Sequence, residues 1–159
     1  QVLASDTHFT GGYAIDLILA KHLASEYDSK YSTSGETIHN SKKSMIKLLR
    51  FAKDAKETLS ASNSVDIEIE ELNGVDIKIT LTRETLEKLT QDLYPKLVKP
   101  IGNVLAKSGI KEDEIKTIEL FGGGVRIPKL QATIQSQWKI PLGRHINGDE
   151  AAVFGSCHY

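Results

Sequence analysis

The chain has 159 residues, a formal net charge of −1 from twenty basic and twenty-one acidic side chains, 40% hydrophobic residues and a single cysteine, Cys157. That length suits one folded unit of ~100–200 residues, or two subdomains sharing a core; the interspersed charges give no clustered basic footprint for nucleic acid; and a lone thiol closes no internal disulfide. No apolar run reaches the ~18–20 residues of a membrane span. Nothing near Gln1 reads as a signal peptide, which leaves a mature product or a piece of a longer chain.

Gln1 to Thr7 reads as an extended lead-in and Thr10-Gly11-Gly12 as a turn or hinge. From Tyr13 to about Tyr27, Ile15, Leu19 and Leu23 recur at helical spacing with Ile18 beside them, which predicts a helix. Asp28 to Asn40 is rich in Ser and Thr, lacks a period and reads as a surface loop. Met45, Leu48, Leu49, Ala52, Ala55 and Leu59 predict a second amphipathic helix over about 41–61, with Lys42, Lys47, Lys53 and Glu57 on its other faces.

Val65 to Leu72 and Val75 to Thr82 alternate apolar and polar on either side of Asn73-Gly74. That pair favours a tight hairpin turn, because both central residues need positive φ. Glu68 and Glu70 then face Lys78 on the solvent side. A long helix follows, capped by Thr82 or Thr85, with Leu86, Leu89, Leu93, Leu97 and Ile101 as its apolar face and Pro95 and Pro100 kinking or interrupting it. Lys116 to Phe121 reads as a strand, Gly122-Gly123-Gly124 as a glycine turn, Ile127-Pro128 as a helix start and 129–138 as the helix. Arg144 to Ile146 is short and extended, and Asn147-Gly148-Asp149 leads into a last helix. Strand, glycine turn, helix, strand, helix is an α/β layout.

The glycine turn puts bare backbone amides near a helix start, which suits a flat or anionic ligand; the same turn also serves as a plain tight connection. Arg126 beside it has the chemistry to stack on an aromatic base, pair with a phosphate or pair with a neighbouring acid. Asp149 and Glu150 begin the last helix, where acids also act as simple caps. Lys56 and Ser60 are four apart and share a helix face, for which solvation is the ordinary use. His8, His22, His39, His145 and His158 show no metal-ligand spacing with each other or with Cys157. No nucleophile elbow and no Walker-type loop is present.

Five segments, in order and spacing, resemble the second lobe of the nucleotide-binding domain of the heat shock protein 70 family. They are Asp6-Thr7-His8 through Gly11-Gly12, Ala55-Lys56 through Ser60, Leu81-Thr82-Arg83, Phe121 through Lys129, and Ile146-Asn147 through Ala152. The resemblance covers essentially the whole chain. It implies lobe II of an actin-like ATPase domain, of α/β class. The inner α/β subdomain would be at 1–10 and 91–159, and the outer subdomain of helices and a hairpin at 11–90.

It further implies the adenosine side of an ATP/ADP cleft. Gly123, Gly124 and Arg126 would lie at the adenine with Arg126 stacked on it, Lys56 and Ser60 would reach the base and ribose, and Asp149 would lie near the same pocket. Magnesium would be held mainly by residues outside this chain. Three departures from the family pattern stand out: Lys53 where the family usually has Glu, Glu57 where it usually has Arg, and Gly124-Val125 where a hydroxyl-bearing pair is usual. The first lobe and the second phosphate loop are not in this sequence, so the chain by itself is expected not to hydrolyse ATP.

Ser44 to Ala52 and Leu59 to Ser62 look most like the large, divergent chaperones of the endoplasmic reticulum lumen, with the cytoplasm as the alternative compartment. Those relatives serve as chaperones and as nucleotide exchange factors, so the implied partners are adenine nucleotide, a partner chaperone or exchange factor, and unfolded clients bound through other parts. Two other readings stand beside this one: a nucleotide-independent module that docks a partner chaperone through helix 41–61 and the hairpin, and an unrelated α/β domain whose glycine turn is structural.

Overall fold

The computed structural model describes residues 2–32, 37–143, 145, 147 and 150–157. The chain divides into two compact units, residues 12–91 and residues 1–11 with 92–159.

The unit 12–91 begins with helix α1, Gly12–Tyr31, which buries Ile15, Leu19, Leu23 and Tyr27 at successive four-residue steps, with Ala20 and Ala24 beside them. Where the sequence suggests only a loop, Asp28 organises a short 3-10 turn at Ile38–Asn40. Its carboxylate accepts the Ile38 backbone N–H at 2.8 Å and the Thr37 hydroxyl at 2.5 Å. Desolvation pushes the Asp28 pKa up, but these donors outweigh it and the net direction is down.

Helix α2, Lys42–Ala61, is capped by Ser41, whose hydroxyl accepts from the Ser44 N–H at 3.3 Å. Leu48, Ala52, Ala55 and Leu59 form its buried line, and α1 packs along it.

Strands β1, Ser64–Leu72, and β2, Val75–Thr82, pair antiparallel. Asn73 and Gly74 turn the chain at φ 53° and 82°, the positive values that a two-residue turn demands. The register runs Ile69 to Ile77 and then Leu72 to Val75, so β1 carries one extra residue, with Glu71 at φ 48°. The bulge lets Leu72, not Glu71, take the next core position after Ile67 and Ile69. On the solvent face Lys78 lies 2.7 Å from Glu68 and 3.9 Å from Asp66, and the bond to Glu68 raises its pKa. Glu70 meets a cation through its backbone carbonyl, which accepts from Lys47.

The long helix expected after the hairpin is two helices. Helix α3, Arg83–Thr90, starts at Thr82, whose hydroxyl accepts from the Thr85 N–H at 3.1 Å. Arg83 reaches back to the end of α2, donating to the carbonyls of Leu59 at 2.8 Å and Ser62 at 2.9 Å, groups that a helix end leaves without partners.

The second unit contains helix α4, Tyr94–Ser108, which places Pro95 in its first turn, where no N–H is needed, keeps Pro100 inside, and ends at Gly109 with φ 71°. Its fully buried residues are Tyr94 and Val98, and those of α3 are Leu86 and Thr90. Leu89, Leu93, Leu97 and Ile101, expected to line the apolar face with Leu86, are only half-buried. Asp6 of the lead-in holds α4: its carboxylate accepts from Asn103 at 2.7 Å and pairs with Lys107 at 2.6 Å. The Lys107 bond, then that of Asn103, keep its pKa below the ordinary value.

Strand β3 is only Ile118–Glu119, shorter than the six residues expected, and pairs parallel with β4, Leu142–Gly143. Between them helix α5, Pro128–Gln137, packs against α4 with Leu130 and Ile134 buried. Helix α6, Ala151–Cys157, follows. Among the described residues no helix is long and apolar enough to cross a membrane.

Candidate functional site

Three of the residues singled out in the sequence share one turn. After β3 the chain passes through Gly122 at φ 89° and ψ 157°, a conformation essentially reserved for glycine. It then makes a 3-10 turn over Gly123–Arg126 before α5 starts at Pro128. The Gln131 side-chain amide donates to the Val125 carbonyl at 2.6 Å and fastens the turn to α5. A side chain added at Gly123 would meet nothing within 4 Å, so its backbone is open on that side. Gly124 is half-buried and Arg126 is exposed. The turn lies beyond the carboxyl end of a parallel strand, the usual place for ligands in open α/β sheets.

Lys56 and Ser60 lie one turn apart on α2. The Ser60 hydroxyl donates to the Glu57 carbonyl at 2.6 Å and keeps its lone pairs as acceptors. Lys56 is not solvated: its ammonium lies 2.7 Å from Asp16 Oδ1, with side chains 13% and 8% exposed. Asp16 Oδ1 is out of solvent and has no aligned hydrogen bond, so charge holds the pair. Asp149 lies outside the described residues. Lys53 and Glu57 are exposed on α2.

Asp16 escaped the sequence reading, although it left a signal: an acid next to Ile15 and in step with Ala20 and Ala24 on the buried stripe of α1. Glu119 and His145 were missed as well. At the end of β3 the Glu119 carboxylate accepts the His145 backbone N–H at 3.2 Å and meets its Nδ1 at 2.5 Å. The ring contact lowers the Glu119 pKa. Neighbouring carboxylates and imidazoles do not add up to a metal centre: among the described residues no group of three or more His, Cys, Asp or Glu is placed to hold an ion.

A family model described as Hsp70 protein matches residues 1–158. The chain belongs to the heat shock protein 70 family. It is similar to heat shock 70 kDa protein 17 of Arabidopsis thaliana, 39% identical over 148 residues, which are 92% of this chain and 17% of that protein. Hypoxia up-regulated protein 1 of Xenopus tropicalis is 35% identical over 150 residues, 93% of this chain and 23% of that protein. A heat shock protein homolog of Saccharomyces cerevisiae is 33% identical over 154 residues, 96% and 22% respectively.

The family relatives include members of its large, divergent branch. This chain spans about a fifth of the length of these proteins. It is a fragment of the family's nucleotide-binding domain, which has the actin-like ATPase fold, and its mixed helices and strands agree with an α/β class.

Proposed function

We propose that this chain is the second lobe of a chaperone's nucleotide-binding domain and supplies adenosine-side contacts for ATP or ADP. The observation that carries the reading is the turn after β3: Gly123 is open to approach, Arg126 stands exposed beside it, and Gln131 fastens the turn to α5. Such a surface fits a flat heterocycle, which needs a close main-chain approach and a planar cation for stacking.

In this proposal residues 1–11 with 92–159 form the inner subdomain, bringing Gly123, Gly124, Arg126 and Asp149. Residues 12–91 form the outer subdomain, bringing Lys56 and Ser60. The nucleotide supplies the phosphoryl chemistry, and this chain's residues bind and orient its nucleoside end. Magnesium belongs with residues outside the chain, and the chain alone does not hydrolyse ATP, because in-line attack requires positioned and neutralised phosphates. We assign the parent protein to the endoplasmic reticulum lumen, as a chaperone and exchange factor for a conventional family member, with unfolded clients bound elsewhere. The residues of α2 quoted above support that compartment, and the cytoplasm is the alternative.

Calorimetry with ADP on the complete protein tests the reading. Arg126→Ala should weaken binding about two- to thirtyfold, since stacking of a guanidinium on an aromatic ring is worth ~0.5–2 kcal/mol. Unchanged affinity with an unchanged melting midpoint would refute it.

A second reading, docking of a partner chaperone without nucleotide, is favoured by one feature: a groove of about 640 Å³ whose lining includes Lys47 and Phe51 of α2 and Ile69 and Ile77 of the hairpin. It predicts that Phe51→Ala weakens partner binding while leaving ADP binding as it was.

A further inference from the structure

Resting on the nucleotide reading above, we propose that Asp16 is a positioning residue. It holds the Lys56 ammonium beside Gly12 as half of a net-neutral pair, so that Lys56 donates hydrogen bonds to the uncharged nucleoside and does not select for phosphate.

Burying both members of an ion pair is expensive, and a well-packed apolar pair of similar volume usually ties two helices together as well or better. Helices α1 and α2 already have such apolar ties in Leu19, Leu23, Leu48 and Ala52, each 0% exposed. Asp16 nonetheless sits on that buried stripe, with Ser44 and Thr90 the other buried polar side chains among the described residues. Ser44 is part of the Ser41 cap, and Thr90 donates to the Leu86 carbonyl at 2.7 Å. Both therefore have local structural uses, while Asp16 has Lys56.

The geometry says what the pair is built for. An ammonium has three donors in a tetrahedral spread, and one carboxylate oxygen engages it from one side only. Gly12 lies beside the ammonium, an added Cβ there coming to 3.4 Å from Nζ, which is ordinary contact distance.

Charge decides the ligand part. A free ammonium is drawn to the most anionic portion of a nucleotide, whereas one paired at 2.7 Å presents little net field at a distance and discriminates through directed hydrogen bonds. Such a group suits ring nitrogens and hydroxyls.

Adenosine and ADP titrations on the complete protein test the idea. The double variant Asp16→Asn with Lys56→Gln replaces the pair by a neutral pair of similar shape. It should keep the melting midpoint and lose about tenfold in affinity for both ligands, because the charge-assisted contact is to the part they share. Asp16→Asn alone unmasks the cation and should raise the preference for ADP over adenosine at least about threefold. If the double variant binds adenosine as the parent does while Arg126→Ala still weakens binding, the pair is only a strut between α1 and α2 and the proposal is wrong. If Arg126→Ala also leaves binding unchanged, the nucleotide reading itself falls, and this inference with it.

Discussion

Gly122 and Gly123 are adjacent, yet the structure gives them different reasons to be glycine, and alanine substitution separates the two. Gly122 has φ 89° and ψ 157°, where an L side chain is strained whatever space surrounds it. Holding a non-glycine residue in so sparsely populated a region costs of order 1–3 kcal/mol. Gly123 carries no positive φ and has open space where its Cβ would go. Alanine there meets no clash and restricts the unfolded chain, an effect worth about 0.4–1 kcal/mol in favour of folding. In urea denaturation of the complete protein, Gly122→Ala should therefore lower the stability of this domain by roughly 1–3 kcal/mol, while Gly123→Ala leaves it level or slightly raised. ADP calorimetry should show the reverse emphasis. Gly123→Ala places a methyl where the adenine is proposed to approach and should weaken binding without loss of fold. Gly122→Ala as stable as the parent would refute the backbone argument, and Gly123→Ala with full ADP affinity would refute the claim that the open side faces the ligand.

Other consequences follow from the same contacts. Asp6 has its pKa held below the ordinary 3.8 by Lys107 and Asn103, so its contribution is present above that pH and lost as pH falls through the lowered value. Asp6→Asn should accordingly flatten the acid limb of a stability-versus-pH curve below about pH 4 and change little near neutrality. Arg83→Met removes two donors from the carbonyls of Leu59 and Ser62 and should cost about 1–2 kcal/mol in chemical denaturation. Leu23→Ala, at a site with no exposure in the unit 12–91, should cost about 2–5 kcal/mol by the same measurement.

Elements governed by a single local rule were readable in the sequence. The hairpin turn followed from Asn73-Gly74, and the cap of α3 was narrowed to Thr82 or Thr85, of which Thr82 is the one used, because both obey chemistry confined to a few residues. The bulge was missed, because the run to Leu72 was read as alternating throughout although the Glu70-Glu71 doublet breaks the alternation. A strict period of two would put Glu71 inward, and the chain instead inserts a residue to bring Leu72 to the core. Burial after the hairpin was harder. Leucine spacing chose Leu86 correctly but went on to Leu89, Leu93, Leu97 and Ile101, whereas burial continues through Thr90, Tyr94 and Val98. A threonine whose hydroxyl bonds its own helix and a tyrosine are poor markers of a core line, and the break at 91–93 interrupts any period carried across it.

The candidate site divides along the same line between local and long-range causes. A glycine turn between a strand and a helix is spelled out in consecutive residues, so Gly122 to Arg126 could be found without coordinates. Lys56 could be named from its motif, but its state could not, because its partner Asp16 lies forty positions earlier on another helix, and helical spacing does not show which two helices will pack. That pairing changes the chemistry assigned to the lysine. Read from α2 alone, Lys56 is a flexible surface cation. Held by Asp16 at 2.7 Å and 13% exposed, it has its charge matched, and in the proposed site it would act as a fixed donor, which favours a ligand for geometry as well as for sign. The same logic applies to Glu119 and His145, twenty-six residues apart, whose contact depends on β3 and β4 running parallel in the observed register. In both cases the residue types were visible and the chemistry came from a partner that only the packing supplies.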